Sequence, residues 1–250
     1  MTRRAWTGVG AVAAMVATGP KRRVMAWTTR AALFVVGALV IAVSVAVMFW
    51  NGIGPGPFDL FVGGIHARTG LPLAFSLWIT VASLITVAWA LGRRPRPGTI
   101  VAPFLIGPVM QWALATMERV DRPAVLPLQV LVQLGAIAGI GIGVGALVVS
   151  GLGAGTGELL ASATSSRTGR PEPLVRTGLE LTWLTLGIVL GGPIGVGTVI
   201  VALSIGPAVA RGYRFVDGGV TAFRQRAAMA RAELVATETP ALTAGQPVCA

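Results

Sequence analysis

Cysteine, histidine and lysine each occur once in the 250 residues, as Cys249, His66 and Lys21. A single cysteine excludes an internal disulfide, and one histidine leaves no His/Cys set to cage a metal ion. Neither a Ser–His–carboxylate group nor a pair of catalytic carboxylates can be assembled around His66. The sequence therefore predicts no enzyme, no catalytic residue, no metal and no cofactor.

Charge is scarce too. Only 12% of the residues are charged, where soluble domains carry about a quarter. With 54% hydrophobic residues and a mean hydropathy of +0.77, the chain lacks the polar surface to enclose a core in water. Apolar stretches of spanning length, such as Ala31–Trp50 and Leu128–Val149, identify a polytopic membrane protein instead.

The charge present is one-sided, with a net value of +11. In a soluble protein that excess would suggest nucleic acid. Here the basic residues flank apolar runs without forming a basic face or an aromatic platform, so no nucleic-acid partner is expected. Arginine supplies all of them except Lys21, beside abundant Ala, Val and Gly, a composition that suggests a bacterial source and its inner (cytoplasmic) membrane.

Six apolar runs read as spans: 31–50, 73–91, 99–117, 128–150, 174–190 and 194–210. Helices are required, because backbone in lipid must satisfy its own hydrogen bonds. Seventeen of the twenty basic residues fall on one side of this arrangement, leaving Arg68, Arg119 and Arg122 on the other. By the positive-inside rule both termini are cytoplasmic. Trp27, Trp50 and Trp89 stand at span ends as interface anchors. Residues 5–19 look like a signal-peptide core, yet Lys21-Arg22-Arg23 follows where a cleavage site belongs, so cleavage is not expected. Met25 is an alternative start. The organisation expected is a basic cytoplasmic segment at 1–30, membrane units at 31–117 and 128–210, and a cytoplasmic tail at 211–250 with a short amphipathic helix around 218–236.

The two membrane units repeat each other. At an offset of 99 residues, GIGPGPFDLFVGGIHARTGLP (52–72) aligns without a gap on GLGAGTGELLASATSSRTGRP (151–171), pairing Asp59 with Glu158. Arg68-Thr69-Gly70 falls on Arg167-Thr168-Gly169, and Ile106-Gly107-Pro108 on Ile205-Gly206-Pro207. Three spans per unit reverse the second unit, which predicts a 3+3 inverted-topology repeat with a pseudo-two-fold axis in the membrane plane. Within each repeated loop, an acid at the start, an arginine at the end and a following glycine predict a helix of about 11 residues. That is too short to span, so it is interfacial or re-entrant.

Three sets of residues are candidates for function. The loop residues Asp59, Arg68, Thr69, Gly70, Glu158, Arg167, Thr168 and Gly169 form either a gate or merely two well-capped helices. Gly107-Pro108 and Gly206-Pro207 each fall about 15 Å into a span, near the midplane. Paired Gly/Pro interruptions of this kind mark either a transporter's central site or a packing kink. Arg176 and Glu180, four residues apart on one helix face, are either a structural pair or a proton- or cation-binding element. Gly135, Gly139 and Gly143, with Gly141 and Gly145 beside them, give small-residue spacing for close helix packing. The GxGxG runs lack the βαβ context of a nucleotide site.

LVRTGLELTWLTLGIVLGGPIGVGTVI at 174–200, with GPGPFDLF at 54–61 and ARTGLP at 67–72, resembles the YczE/YitT-type bacterial integral membrane proteins over roughly residues 31–210. The second half looks like that family's arginine-threonine and glutamate-leucine helix followed by G-x-G-T. The first half looks like its G-P-x-D and R-T-G loop. Departures are Arg96-Pro97-Gly98-Thr99 where a second G-x-G-T is expected, and Thr156 and Glu158 at the Pro and Asp positions of the loop. The resemblance implies a small polytopic protein and carries no mechanism.

Two functions remain open: a small-molecule or ion transporter working by alternating access, or a membrane accessory protein presenting its basic cytoplasmic surface. The partners expected are the lipid bilayer, an unidentified small-molecule or ion substrate and, as an option, further copies of the chain.

Overall fold

A computed structural model describes residues 25–153 and 155–238, and every regular element among them is helical. The signal-like stretch 5–19, the end of the tail and Cys249 lie outside the described residues. The helices are α1 (Trp27–Asn51), α2 (Pro57–Thr69), α3 (Leu73–Ala90), α4 (Pro97–Met117), α5 (Leu126–Ser150), α6 (Thr156–Thr168), α7 (Glu172–Val189) and α8 (Val196–Glu238). Five of them, α1, α3, α4, α5 and the first 28 residues of α8, are long and apolar enough to cross a membrane. The remaining long helix, α7, has 18 residues and holds Glu172, Arg176 and Glu180.

Element boundaries recur at the sequence offset. α1 and α5 both have 25 residues and begin 99 residues apart, as do α2 and α6 with 13 each, and α3 and α7 with 18 each. The cause is local chemistry. Gly52 and Gly151 end α1 and α5 at φ 77° and 67°, and Gly70 and Gly169 end α2 and α6 at φ 71° and 68°. A residue with a Cβ adopts that left-handed conformation only at a cost, so the glycines fix where each helix stops. The short helices are 13 residues long, two more than the sequence suggested.

Packing exchanges the halves. α1 lies against α4 and α5 against α8, while α1 and α5 pack on each other at the centre. The short helices cross over: α2 packs on α7, and α6 on α3. Two backbone bonds close the crossing in equivalent places, Gly98 N–H to Leu152 O at 3.1 Å and Gly197 N–H to Ile53 O at 2.7 Å. One core cluster, including Met48, Leu77, Val81, Met110, Ile137 and Val201, draws on both halves.

The glycines of α5 divide between two neighbours. A Cβ on Gly143 would meet Gly37 O of α1 at 2.8 Å, and one on Gly141 would meet Ala208 O of α8 at 2.5 Å, whereas a Cβ on Gly135 would meet no neighbouring helix within 4 Å. Small residues thus bring three helix backbones together where larger ones would hold them apart.

Two expectations need correction. The tail does not form a separate helix at 218–236, because α8 runs unbroken from Val196 to Glu238. Its Ala-rich sequence favours helix throughout, so nothing stops the helix at 210. The Gly-Pro pairs do not interrupt their spans either: α4 continues through Pro103 and Pro108, and α8 through Pro207.

Candidate functional site

α7 presents two faces. Leu174, Leu181 and Ile188 recur every seven residues and are exposed, an apolar strip suited to lipid. Arg176, Glu180, Trp183 and Gly187 follow one another at three- and four-residue steps on the other face. That face meets the short helices α2 and α6.

Arg176 is shared by two acids. Its Nη1 lies 2.9 Å from Glu158 Oε1, and its Nε lies 3.3 Å from Glu180 Oε1. Both bonds are charge-assisted, and all three side chains are largely shielded. Glu158 is the third residue of α6 after the N-cap Gly155, where a carboxylate also complements the helix dipole. One guanidinium therefore joins the start of α6 to the middle of α7.

Seven residues beyond Arg176, Trp183 is 8% exposed. Its ring meets Phe58 edge-on with centroids 5.2 Å apart. A Cβ on Gly157 would touch the same ring at 3.2 Å. Phe58 and Gly157 are equivalent residues of the repeat, so the starts of α2 and α6 flank one tryptophan.

Asp59 occupies in α2 the place that Glu158 holds in α6. The positions matching Arg176 and Glu180 are Leu77 and Val81, both buried. Asp59 has neither an ion pair nor a side-chain hydrogen bond among the described residues. Asp59 is half-buried, and this shielding without a counter-charge pushes its carboxyl up to about 7. The two halves thus hold equivalent acids in opposite settings, one paired and one alone.

The remaining candidates are placed more plainly. Arg68, Thr69 and Gly70, and their partners Arg167, Thr168 and Gly169, are exposed at the ends of α2 and α6. Thr69 Oγ1 donates to Ile65 O, and Thr168 Oγ1 donates to Thr164 O. Gly70 N–H bonds to His66 O, and Gly169 N–H to Ser165 O. These are capping bonds that serve their own helix. Pro108 and Pro207 are exposed on outward faces of α4 and α8, Gly206 is half-buried, and Gly107 lies under Trp78. The structure does not gather the Gly-Pro pairs around the Arg176 cluster. Trp78 Nε1 instead donates to Pro103 O at 2.9 Å, in the stretch of α4 where two prolines remove backbone donors.

Sequence reading missed a buried amide pair. Asn51 Nδ2 donates to Gln129 O at 2.8 Å and to Gln133 Oε1 at 3.2 Å, and Gln133 Nε2 donates to Gly54 O at 2.9 Å. Both side chains are almost wholly buried, and Asn51 Oδ1 has no partner. They tie the end of α1 to α5 and to the loop that leads into α2. The signal was present: Gln133 is an uncharged polar residue inside an apolar run, of the kind that bonds across helices in membranes.

A model described as "Family of unknown function (DUF6198)" matches residues 28–213. The membrane protein YczE of Bacillus subtilis (strain 168), itself uncharacterised, is 30% identical over 196 residues, covering 73% of this chain and 83% of that protein. The uncharacterised protein YyaS of the same organism is 22% identical over 167 residues, covering 66% of this chain and 83% of its own length. No solved structure matches the chain.

Proposed function

The chain belongs to the DUF6198 family of YczE-type membrane proteins, and from that premise we propose a small-molecule or ion transporter that works by alternating access. In this reading each half contributes three spans and one short helix, and the second half is inverted. Both termini face the cytoplasm, and the protein is a multi-pass component of the bacterial inner membrane.

The observation that carries the reading is the reciprocal crossing of the halves at α7. α2 of the first half packs on α7 of the second, and α6 packs on α3. There one spanning-length helix holds Arg176 against the start of α6 and Trp183 against the start of α2, with Glu180 paired to Arg176. Intramembrane ionisable groups are expensive and mark pathways more often than scaffolds. The low hydropathy of α7 comes from Glu172 and from the Arg176–Glu180 pair that turns toward α6, while its outer strip is apolar. At 18 residues, or about 27 Å, it crosses the hydrocarbon core as the sixth span.

A second reading has its own support. The C-terminal half of α8 carries exposed Phe215 and Phe223 beside exposed Arg211, Arg214 and Arg226. Aromatic and basic residues together suit an anionic lipid surface and an accessory role. Reconstitution into liposomes discriminates the two. A transporter shows substrate-dependent flux, screened with ions and small metabolites, which Glu180→Gln diminishes while the protein remains folded. Flux that is absent across the screen, or unchanged in Glu180→Gln, removes the Arg176 cluster from the pathway and favours the accessory role.

A further inference from the structure

The internal repeat provides its own control for reading Asp59. Evolution of one half from the other would leave equivalent acids in equivalent settings, yet only Glu158 keeps a cation. At the place where α7 offers Arg176, α3 offers Leu77, and where α7 offers Glu180, α3 offers Val81. Leu77, Val81 and Val201 belong to one apolar core cluster, and Phe58, the residue before Asp59, packs against it. A Cβ on Gly56 would meet Val201 at 2.9 Å and Asp59 Oδ2 at 3.6 Å, which puts the carboxyl beside that wall.

No charge facing Asp59 from a neighbouring helix balances it. α3 has no ionisable residue, and α8 has none before Arg211. α7 offers Glu172, Arg176 and Glu180, but its one cation, Arg176, is already bound to both Glu180 and Glu158. On α2 itself, His66 and Arg68 lie at the far end. Nearby, Arg122 lies against Gly52, and Arg30 of α1 donates to Ser150 O at the other end of that helix. A lone carboxylate without further oxygen donors is no metal site. It is a group whose cheapest neutraliser is a proton from water.

We propose that Asp59 is a proton-binding site, neutral in the packed arrangement seen here and ionised when the start of α2 withdraws from α3, α7 and α8. Release of the proton to water leaves a carboxylate that disfavours repacking, and rebinding restores the closed contact. Protonation is thereby coupled to movement of a short helix that bridges the two halves. The inference deepens the transport reading by supplying a coupling ion, but the titration itself needs no transport to be observed.

The test is infrared difference spectroscopy on the full-length protein in phosphatidylethanolamine–phosphatidylglycerol vesicles, stepped from about pH 5 to about pH 9. The wild type should lose one protonated-carboxyl band with a midpoint near neutrality. Asp59→Asn should remove that band, and Glu158→Gln should leave it. Leu77→Arg, which copies the cation of the second half, should lower the midpoint by about one unit or more. Should Asp59→Asn fail to fold, Asp59→Glu must still move the midpoint. A wild type without the band, or a band indifferent to every change at residues 59 and 77, overturns the proposal. A band that behaves as stated in a protein without flux supports the proton site and refutes the transporter.

Discussion

Replacing Arg176 by leucine tests the electrostatic account of the site. The substitution leaves Glu158 and Glu180, whose side chains are 17% and 27% exposed, without their shared cation. Removing one partner of a fully buried pair costs about 3–5 kcal/mol, and an exposed pair contributes at most about 1 kcal/mol. Partial shielding puts the expected loss between these limits, at about 1–3 kcal/mol. The first half shows how the loss can be recovered, since Leu77 and Val81 fill the equivalent space without charge. The triple variant R176L/E158Q/E180V should therefore regain at least half of what R176L alone loses. Unfolding in mixed micelles, followed by tryptophan fluorescence over a denaturing-detergent titration, reads both changes. A triple variant as unstable as the single one would refute the claim that unbalanced charge, rather than lost packing, is the source of the damage.

Further expectations follow from the packing and the buried polar groups. Gly141→Ala drives a Cβ into Ala208 O and should cost about 1–3 kcal/mol. Gly135→Ala, with nothing nearby, should be neutral or slightly stabilising in the same titration. Gln133→Leu removes the donor to Gly54 O and the acceptor of Asn51 Nδ2, for a loss of about 1–3 kcal/mol. Adding Asn51→Leu should cost less than the sum of the two single changes, because no orphaned amide remains. Asp59 also makes stability depend on pH. Its folded carboxyl titrates near 7 against 3.8 unfolded, so the folded state binds more protons between those values. Stability should fall as pH rises from about 4 to about 7 and level off beyond. Asp59→Asn should flatten that slope, and an unchanged slope would show that another group sets it.

The parts of the architecture that sequence revealed are those fixed locally. Gly52, Gly70 and their partners at 151 and 169 end helices through their own backbone conformation, so the repeat could be seen without tertiary knowledge. An apolar run likewise announces a span by its length. The pairing of Arg176 with Glu158 across 18 residues and of Asn51 with Gln133 across 82 depends on which helices meet, and no local pattern states that. Depth along a helix does not state direction either. Pro108 and Pro207 fall at the middle of their spans by residue count, yet both point outward. Rotation of a helix about its axis is set by its neighbours, here Trp78 against Gly107. α8 outran its expected end for the opposite reason, since its tail needs no partner to favour helix.

The inverted relation of the two halves is tested most directly by the side on which their equivalent loops lie. Leu71 and Arg170 are exposed, occupy matching places just after α2 and α6, and accept cysteine without disturbing a helix. In a Cys249→Ser background, each single-cysteine variant is exposed to a membrane-impermeant thiol reagent in intact cells and again after permeabilisation. The account predicts that Leu71→Cys reacts in intact cells and Arg170→Cys only after permeabilisation. Reaction of both from the same side would contradict it, leaving α7 or one of the other helices short of a full crossing.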